Sequence, residues 1–242
     1  MEGCIHSFES LAAVDGEGLR YGVFLQGCPL RCAYCHNPDT WHFYDGTPFT
    51  AEALVAKIRR YKPYFGTNGG VTFSGGEPLC QADFLYEVLP LLTAEGIRYV
   101  IDTSGAVPLT AAVKAVLHGA QEVLLDLKFP DDAGYLAYVG RDGAATRQAL
   151  AFLQEAGVPT VIRIVVVPGI NDTEEAIGRY LAVLEGHTVI KRIDLLPFHT
   201  MGFFKYETLG LVNRLADKEP PAPDTMTRLR AAVRCHGFVC GS

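Results

Sequence analysis

Three cysteines, Cys28, Cys32 and Cys35, form a C-x3-C-x2-C run directly after an apolar stretch at residues 21–27. Thiols this closely spaced are typical of a metal centre. A four-iron cluster needs four ligands, so three cysteines would leave one iron open, as catalytic metal sites leave a position open for substrate. The run therefore predicts a cluster that takes part in a reaction.

Structural zinc and disulfide bonds are the alternatives for these cysteines. Zinc would need a fourth ligand, and the nearby candidate, His36, is adjacent to Cys35, so the two side chains point apart. Disulfides need an oxidising compartment, and residues 1–10 carry neither the basic nor the apolar region of a secretory signal. The residues favour iron–sulfur and leave zinc as the alternative.

Composition limits the classes of protein and partner. The chain has 242 residues and 49% hydrophobic content, enough for one large α/β domain or two small ones, and no boundary is visible. A net charge of -6 and scattered basic residues argue against nucleic acid as a partner. No apolar run approaches the ~18 residues that cross a bilayer. We expect a soluble, cytoplasmic protein.

Strand-like apolar runs alternate with amphipathic stretches along the chain. Strands are predicted at residues 21–26, 70–74, 99–103, 123–127, 160–167 and 190–196. Helices are predicted at residues 51–61, 82–95, 110–117, 146–156, 173–184 and 224–235. This alternation indicates an α/β fold with a parallel sheet covered by helices. Periodicity does not distinguish an open sheet from a barrel.

Polar residues follow these strands at their carboxyl ends, where parallel α/β proteins place their chemistry. Each has a structural explanation on its own: Glu77 and Asp102 could cap helices, and Lys128 could be a solvated lysine. Together they suit a zwitterionic ligand, because carboxylates hold an ammonium while Lys128 and Arg163 neutralise a carboxylate. The residues concerned are 74–78, 102–105, 126–128 and 197–199 at strand ends, together with Arg163 within the fifth strand.

The cysteine run, with Tyr34 before its last cysteine, and the later Gly75-Gly76-Glu77 resemble the hallmark of the radical S-adenosylmethionine (SAM) enzymes. The resemblance is strongest to the family that activates glycyl-radical enzymes, and it extends along nearly the whole chain. It implies a partial (β/α)6 TIM-like barrel with parallel strands, open at one side for a loop of a protein substrate. We expect a single domain over residues 1–242, with an N-terminal segment at 1–19, the barrel at 20–200 and a C-terminal extension with a helix at 201–242.

The resemblance also implies a chemistry. Cys28, Cys32 and Cys35 would hold a [4Fe-4S] cluster whose open iron binds SAM. Reductive cleavage would give methionine and a 5′-deoxyadenosyl radical, which takes a hydrogen atom from a glycine of pyruvate formate-lyase or a related glycyl-radical enzyme. A flavodoxin or ferredoxin would supply the electron, and the chain would be a monomer.

Roles for further residues come from the same resemblance. Tyr34 and His36 would flank the adenine. The Gly76 backbone and Asp102 would receive the methionine ammonium, while Lys128 and His199 would bind its carboxylate. The other residues assigned to the SAM site are Cys35, Glu77, Asp126, Leu127 and Arg163. A monovalent cation would lie at Asp102, Thr103 and Asp126.

Two classes of alternative remain. The first is a radical enzyme for a small molecule, such as the 7-carboxy-7-deazaguanine synthases, or an activase of anaerobic ribonucleotide reductase; residues 196–209 argue against both. The second is an iron–sulfur electron carrier or a zinc module, which would leave Asp102, Lys128 and His199 unexplained. The remaining cysteines have no CxxC spacing and are predicted to be small hydrophobes, and the single tryptophan, Trp41, is predicted to be core material.

Overall fold

The structure is a computed structural model that describes residues 1–12 and 15–241. The strands within these residues are β1 Glu2–Ala12, β2 Arg20–Leu25, β3 Thr47–Thr50, β4 Gly70–Gly75, β5 Tyr99–Thr103, β6 Glu122–Asp126, β7 Thr160–Val166 and β8 Ile190–Pro197. They form one sheet in the order β3-β1-β2-β4-β5-β6-β7-β8. Strand β2 and strands β4 to β8 pair in parallel, each with its neighbour in this order.

The six predicted parallel strands are confirmed, with bounds that agree to about one residue. The mostly parallel open sheet is consistent with the partial TIM-like barrel. The sequence prediction was wrong in omitting two further strands: β1 pairs antiparallel with both β2 and β3. Strand β1 is only partly buried and carries His6, Ser7 and Glu9, so it lacks the continuous apolar run of a central parallel strand.

Helices cover the outer face of the sheet. Their bounds are α1 Ala51–Arg59, α2 Ala82–Ala94, α3 Ala111–His118, α4 Asp132–Tyr138, α5 Ala144–Ala156, α6 Glu174–Leu184, α7 Phe203–Thr208 and α8 Pro223–Cys235. Threonine side chains cap α1, α3 and α6 by accepting a hydrogen bond from the backbone N–H three residues on, which fixes where each helix begins. Helices α4 and α7 were not predicted, because seven and six residues are too short to show a helical period.

Two apolar clusters position the carboxyl ends of the strands. The larger lies between the sheet and the helices and includes Phe73, Leu85 and Leu181, all at most 1% exposed. The smaller lies beneath the cysteine loop, where Cys32 and Tyr34 pack with Phe129. Burial of this second cluster anchors the loop to the barrel. In the part of the chain that the structure describes, no helix has the length and apolarity needed to span a bilayer.

Candidate active site

A cavity of about 330 Å³ lies at the carboxyl ends of the parallel strands. The sequence predicted fourteen site residues, and the structure brings eleven of them together around it. The remaining three, Glu77, Leu127 and His199, do not line the cavity. The eleven that line it are Cys28, Cys32, Tyr34, Cys35, His36, Gly76, Asp102, Thr103, Asp126, Lys128 and Arg163.

The cysteine loop forms one wall of the cavity. Backbone bonds hold it in place: the Arg31 N–H donates to the Val139 carbonyl at 3.0 Å and the Ala33 N–H to the Tyr138 carbonyl at 2.7 Å. All three thiols are free, and Cys32 is buried. Burial raises the pKa of Cys32 to about 12. A thiol with a raised pKa is a poor nucleophile at neutral pH.

The arrangement of donors bears on the choice between zinc and a cluster. Within the described residues, no three His, Cys, Asp or Glu side chains are grouped as a single metal ion would require. A four-iron cluster needs no such convergence, because each thiolate binds a different iron. Three thiols on one wall of the cavity are the donors that a cluster with one open iron would use.

The glycine pair at the end of β4 brings backbone against the cysteine loop. Gly75 has φ +110°, a conformation that L side chains rarely adopt. A Cβ on Gly76 would overlap the Gly27 carbonyl and lie 3.2 Å from the Cys28 Cβ. The Glu77 N–H then donates to the Gly27 carbonyl at 2.8 Å. Glycines are required here because two backbones approach closely, and as a result main chain lines the cavity beside the cysteines.

Glu77 itself turns away from the cavity and is fully buried. Its carboxylate accepts hydrogen bonds from the Ser104 N–H at 2.9 Å, the Ser104 and Thr103 hydroxyls at 2.5 Å each, and the Leu79 N–H at 3.1 Å. Burial raises the pKa of Glu77, against the lowering effect of these bonds. Glu77 therefore ties the end of β4 to the end of β5 and acts as a positioning residue.

Glu77→Gln should lower the free energy of unfolding by about 2–4 kcal/mol, because its amide group would face backbone and hydroxyl donors that need an acceptor. Urea unfolding measures this. The matched control is Glu95→Gln, which removes an ion pair with the exposed Arg59 and should have a far smaller effect. Equal stabilities of the Glu77 and Glu95 variants would contradict the positioning role.

Charged side chains that are at most 17% exposed form a second wall, at the carboxyl ends of β5 and β6 and within β7. The Arg163 guanidinium donates to Asp126 at 2.9 Å and also to Asp102. Lys128 Nζ donates to the other Asp126 oxygen at 2.6 Å, and the Ser74 hydroxyl donates to Asp102 at 2.6 Å. Burial would raise the pKa of Asp126, but the charges of Arg163 and Lys128 outweigh it and lower the value to about 2. Burial raises the pKa of Asp102, which Arg163 only partly offsets.

This network also occupies the residues assigned to a monovalent cation. The Arg163 guanidinium lies between Asp102 and Asp126, and the Thr103 hydroxyl is bonded to Glu77. The positive charge facing the two carboxylates is therefore that of Arg163, and the arrangement gives the predicted cation no support.

Asp15 is a cavity residue for which the sequence analysis proposed no role. Its carboxylate lies 3.7 Å from Arg163, and its carbonyl accepts a hydrogen bond from the Thr72 hydroxyl at 2.7 Å. Burial raises its pKa. The sequence feature that could have pointed to Asp15 is the Asp15-Gly16 pair with Gly18, which is typical of a turn and lies just before β2.

His199 lies behind the cavity wall, where its ring stacks on that of His36 with centroids 3.7 Å apart. His36 Nε2 donates to the His199 carbonyl at 3.0 Å. Burial lowers the pKa of His36 to about 4, so its ring is neutral at pH 7. The His199 Nδ1 atom is buried without a hydrogen-bond partner among the described residues. The Leu127 side chain belongs to the main core, so only its backbone is available to the site.

Fold and site together define a parallel α/β barrel of radical SAM type, with a three-thiol loop facing a buried network of carboxylates and cations. A sequence model of the Radical SAM superfamily matches residues 23–181. The pyruvate formate-lyase-activating enzyme of Clostridium pasteurianum is 44% identical over 90% of this chain and 91% of its own length. The enzyme of that name from Staphylococcus epidermidis is 37% identical over 99% and 98% of the two chains.

Solved structures show the same fold. A domain of pyruvate-formate lyase-activating enzyme from Bacteroides vulgatus superposes with a TM-score of 0.59 at 24% identity, covering 72% of this chain and 98% of that one. QueE from Escherichia coli superposes with a TM-score of 0.61 at 20% identity, covering 99% and 93%. The chain belongs to the radical SAM superfamily and, within it, to the family of pyruvate formate-lyase-activating enzymes.

Proposed function

We propose that this protein activates a glycyl-radical enzyme, pyruvate formate-lyase in the first instance, by generating a glycyl radical on it. The observation that carries the proposal is one cavity lined both by the three thiols and by the charged Asp102, Asp126, Lys128 and Arg163. The names of the relatives support pyruvate formate-lyase as the partner. The proposal includes a flavodoxin or ferredoxin as electron donor and a monomeric, cytoplasmic protein.

Cys28, Cys32 and Cys35 would hold the [4Fe-4S] cluster. The fit rests on three free thiols around one cavity, with the apolar cluster of Tyr34 and Phe129 packed beneath them. When bound, the cluster and SAM supply a carbon-centred radical that can remove a hydrogen atom from glycine. The protein's own part is to orient the ligands and to exclude water, which explains why the cavity needs no pair of nucleophile and base.

The strand ends offer groups for both charged ends of SAM. A carboxylate has about four acceptor positions, so Asp102 retains capacity for an ammonium after its bonds to Arg163 and Ser74. Lys128 has three donors and uses one on Asp126. His199 Nδ1, which has no hydrogen-bond partner among the described residues, belongs to the ring stacked against His36. Lys128 therefore retains donors for a ligand carboxylate, whereas His199, behind the cavity wall, would reach that carboxylate only if its ring moved.

The open barrel would admit the partner. Among the described residues, strands β3 and β8 are the two edges of the sheet, and they do not pair with each other. We infer that a loop of the glycyl-radical enzyme enters from this side. Its glycine would then reach the cavity between the thiol wall and the charged wall, away from bulk water.

Lys128→Met tests the assigned SAM site. We expect the affinity of the cluster-loaded protein for SAM to fall about 10–100-fold, because a charge-assisted bond to the ligand carboxylate is lost. Anaerobic equilibrium dialysis gives the dissociation constant. The matched control is Lys114→Met, since Lys114 lies over Phe152 on the outer face of the barrel, 5.7 Å from the ring centre. If Lys128→Met bound SAM with unchanged affinity at full iron content, the SAM carboxylate would not bind Lys128.

A further inference from the structure

Helix α7 lies against the residues that follow the last cysteine of the run. The Tyr206 side chain is 3% exposed, and its hydroxyl donates to the Cys35 carbonyl at 3.0 Å. Lys205 Nζ donates to Asn37 Oδ1 at 2.9 Å and pairs with the Asp39 carboxylate at 3.0 Å. The chain after Cys35 is therefore held from α7 by one neutral hydrogen bond and by two bonds from a charged donor.

Close packing accompanies these bonds. A Cβ on Gly202, the residue before α7, would lie 2.8 Å from the His36 carbonyl oxygen, so glycine is what lets the two backbones approach. The Tyr206 ring meets the ring of Trp41 edge-on, with centroids 6.0 Å apart. Trp41 is only partly buried and belongs to none of the core clusters of the described residues, so its interpretation as core material was wrong. Its ring instead extends the contact between the cysteine loop and α7.

The other two cysteines are held by different elements. A backbone bond from the end of β4 reaches Gly27, the neighbour of Cys28, at 2.8 Å. A backbone bond to the end of α4 fixes Ala33, the neighbour of Cys32, at 2.7 Å. Among the described residues, the bond that Cys35 receives from another element is the one from α7. The contacts of α7 thus act on one cysteine of the three.

We propose that Tyr206 and Lys205 are positioning residues that hold Cys35 in place for the cluster. A segment that is already ordered loses less conformational entropy when iron binds, so these contacts favour assembly of the cluster and slow the loss of iron. The inference rests on the proposed function, since it takes Cys35 as a cluster ligand. It assigns to the short helix α7 the task of completing the cysteine wall of the cavity.

Alkylation of the cluster-free protein by iodoacetamide tests the inference without a measurement of activity. In Tyr206→Phe we expect Cys35 to react about fivefold faster, because the segment after it opens more often once a hydrogen bond is lost. Lys205→Met removes bonds from a charged donor, so we expect about a tenfold acceleration. The rates at Cys32 and Cys80 should stay unchanged. Tandem mass spectrometry of the digested protein gives the rate at each cysteine.

The matched control is Thr208→Val, because Thr208 lies on the same helix and its hydroxyl donates to the Phe204 carbonyl at 2.9 Å rather than to the cysteine loop. Its alkylation rates should equal those of the unaltered protein. An unchanged rate at Cys35 in Tyr206→Phe and Lys205→Met, or an equal acceleration at Cys80, would overturn the inference. Failure of the unaltered protein to assemble a cluster would instead overturn the proposed function and would leave the alkylation rates as measured, so the two failures are distinguishable.

Discussion

Cys32→Ala should abolish SAM cleavage, with a loss of at least about a thousandfold, or roughly 4 kcal/mol in barrier height. Cys32 is the buried member of the three thiols and packs with Tyr34 and Phe129 beneath the cavity. Without it two thiols remain, too few to hold the proposed cluster with one open iron. Iron content and 5′-deoxyadenosine formation after anaerobic reconstitution measure the effect.

Cys235→Ala is the control for this variant. Cys235 is an exposed thiol at the end of α8, so its loss should leave iron content and cleavage unchanged. A Cys32→Ala protein that kept both its cluster and its cleavage activity would remove the basis of the cysteine assignment.

Arg163→Met should lower the free energy of unfolding by about 3–5 kcal/mol, because it removes the cation between two carboxylates that are at most 17% exposed. Asp102 and Asp126 would then face each other with only Lys128 as a nearby positive partner. Urea unfolding of the cluster-free protein measures this loss without the complication of metal binding. If the variant were as stable as the unaltered protein, the ion pairs of Arg163 would make no net contribution to the free energy of unfolding.

The pH dependence of the same variant gives an independent measurement. Asp126 has a pKa lowered to about 2 from a usual value of 3.8, so its stabilising contribution is present above pH 3.8 and is lost as the pH falls toward 2. Without Arg163 the pKa of Asp126 in the folded protein should be higher, so the loss below pH 3.8 should be smaller and should end at higher pH. The control is Arg147→Met, which breaks an exposed ion pair with Asp132 at 2.8 Å and should have little effect on either quantity.

The parallel strands could be predicted because local signals agree with the fold. Each is a continuous apolar run, and several following helices begin at a threonine that caps them. Strands β1 and β3 could not be predicted in this way. Strand β3 spans four residues with Pro48 inside, and it pairs with β1 more than 40 positions earlier, so nothing in its local sequence marks it as part of the sheet.

The sequence predicted which residues form the site better than it predicted where their side chains point. Residues at parallel strand ends must share one rim, which correctly grouped the cysteines with Asp102, Lys128 and Arg163. Spacing alone does not show that Glu77 turns inward to residues 103 and 104, because that contact depends on how two strand ends pack. The same holds for Trp41, whose partners lie on both the cysteine loop and α7.

The decisive measurement is an anaerobic electron paramagnetic resonance spectrum of the reconstituted, reduced protein mixed with SAM and pyruvate formate-lyase, with 5′-deoxyadenosine quantified in the same sample. We predict a glycyl-radical doublet on pyruvate formate-lyase with a matching amount of 5′-deoxyadenosine. An intact, reduced cluster that produced neither the doublet nor 5′-deoxyadenosine would contradict the proposed function.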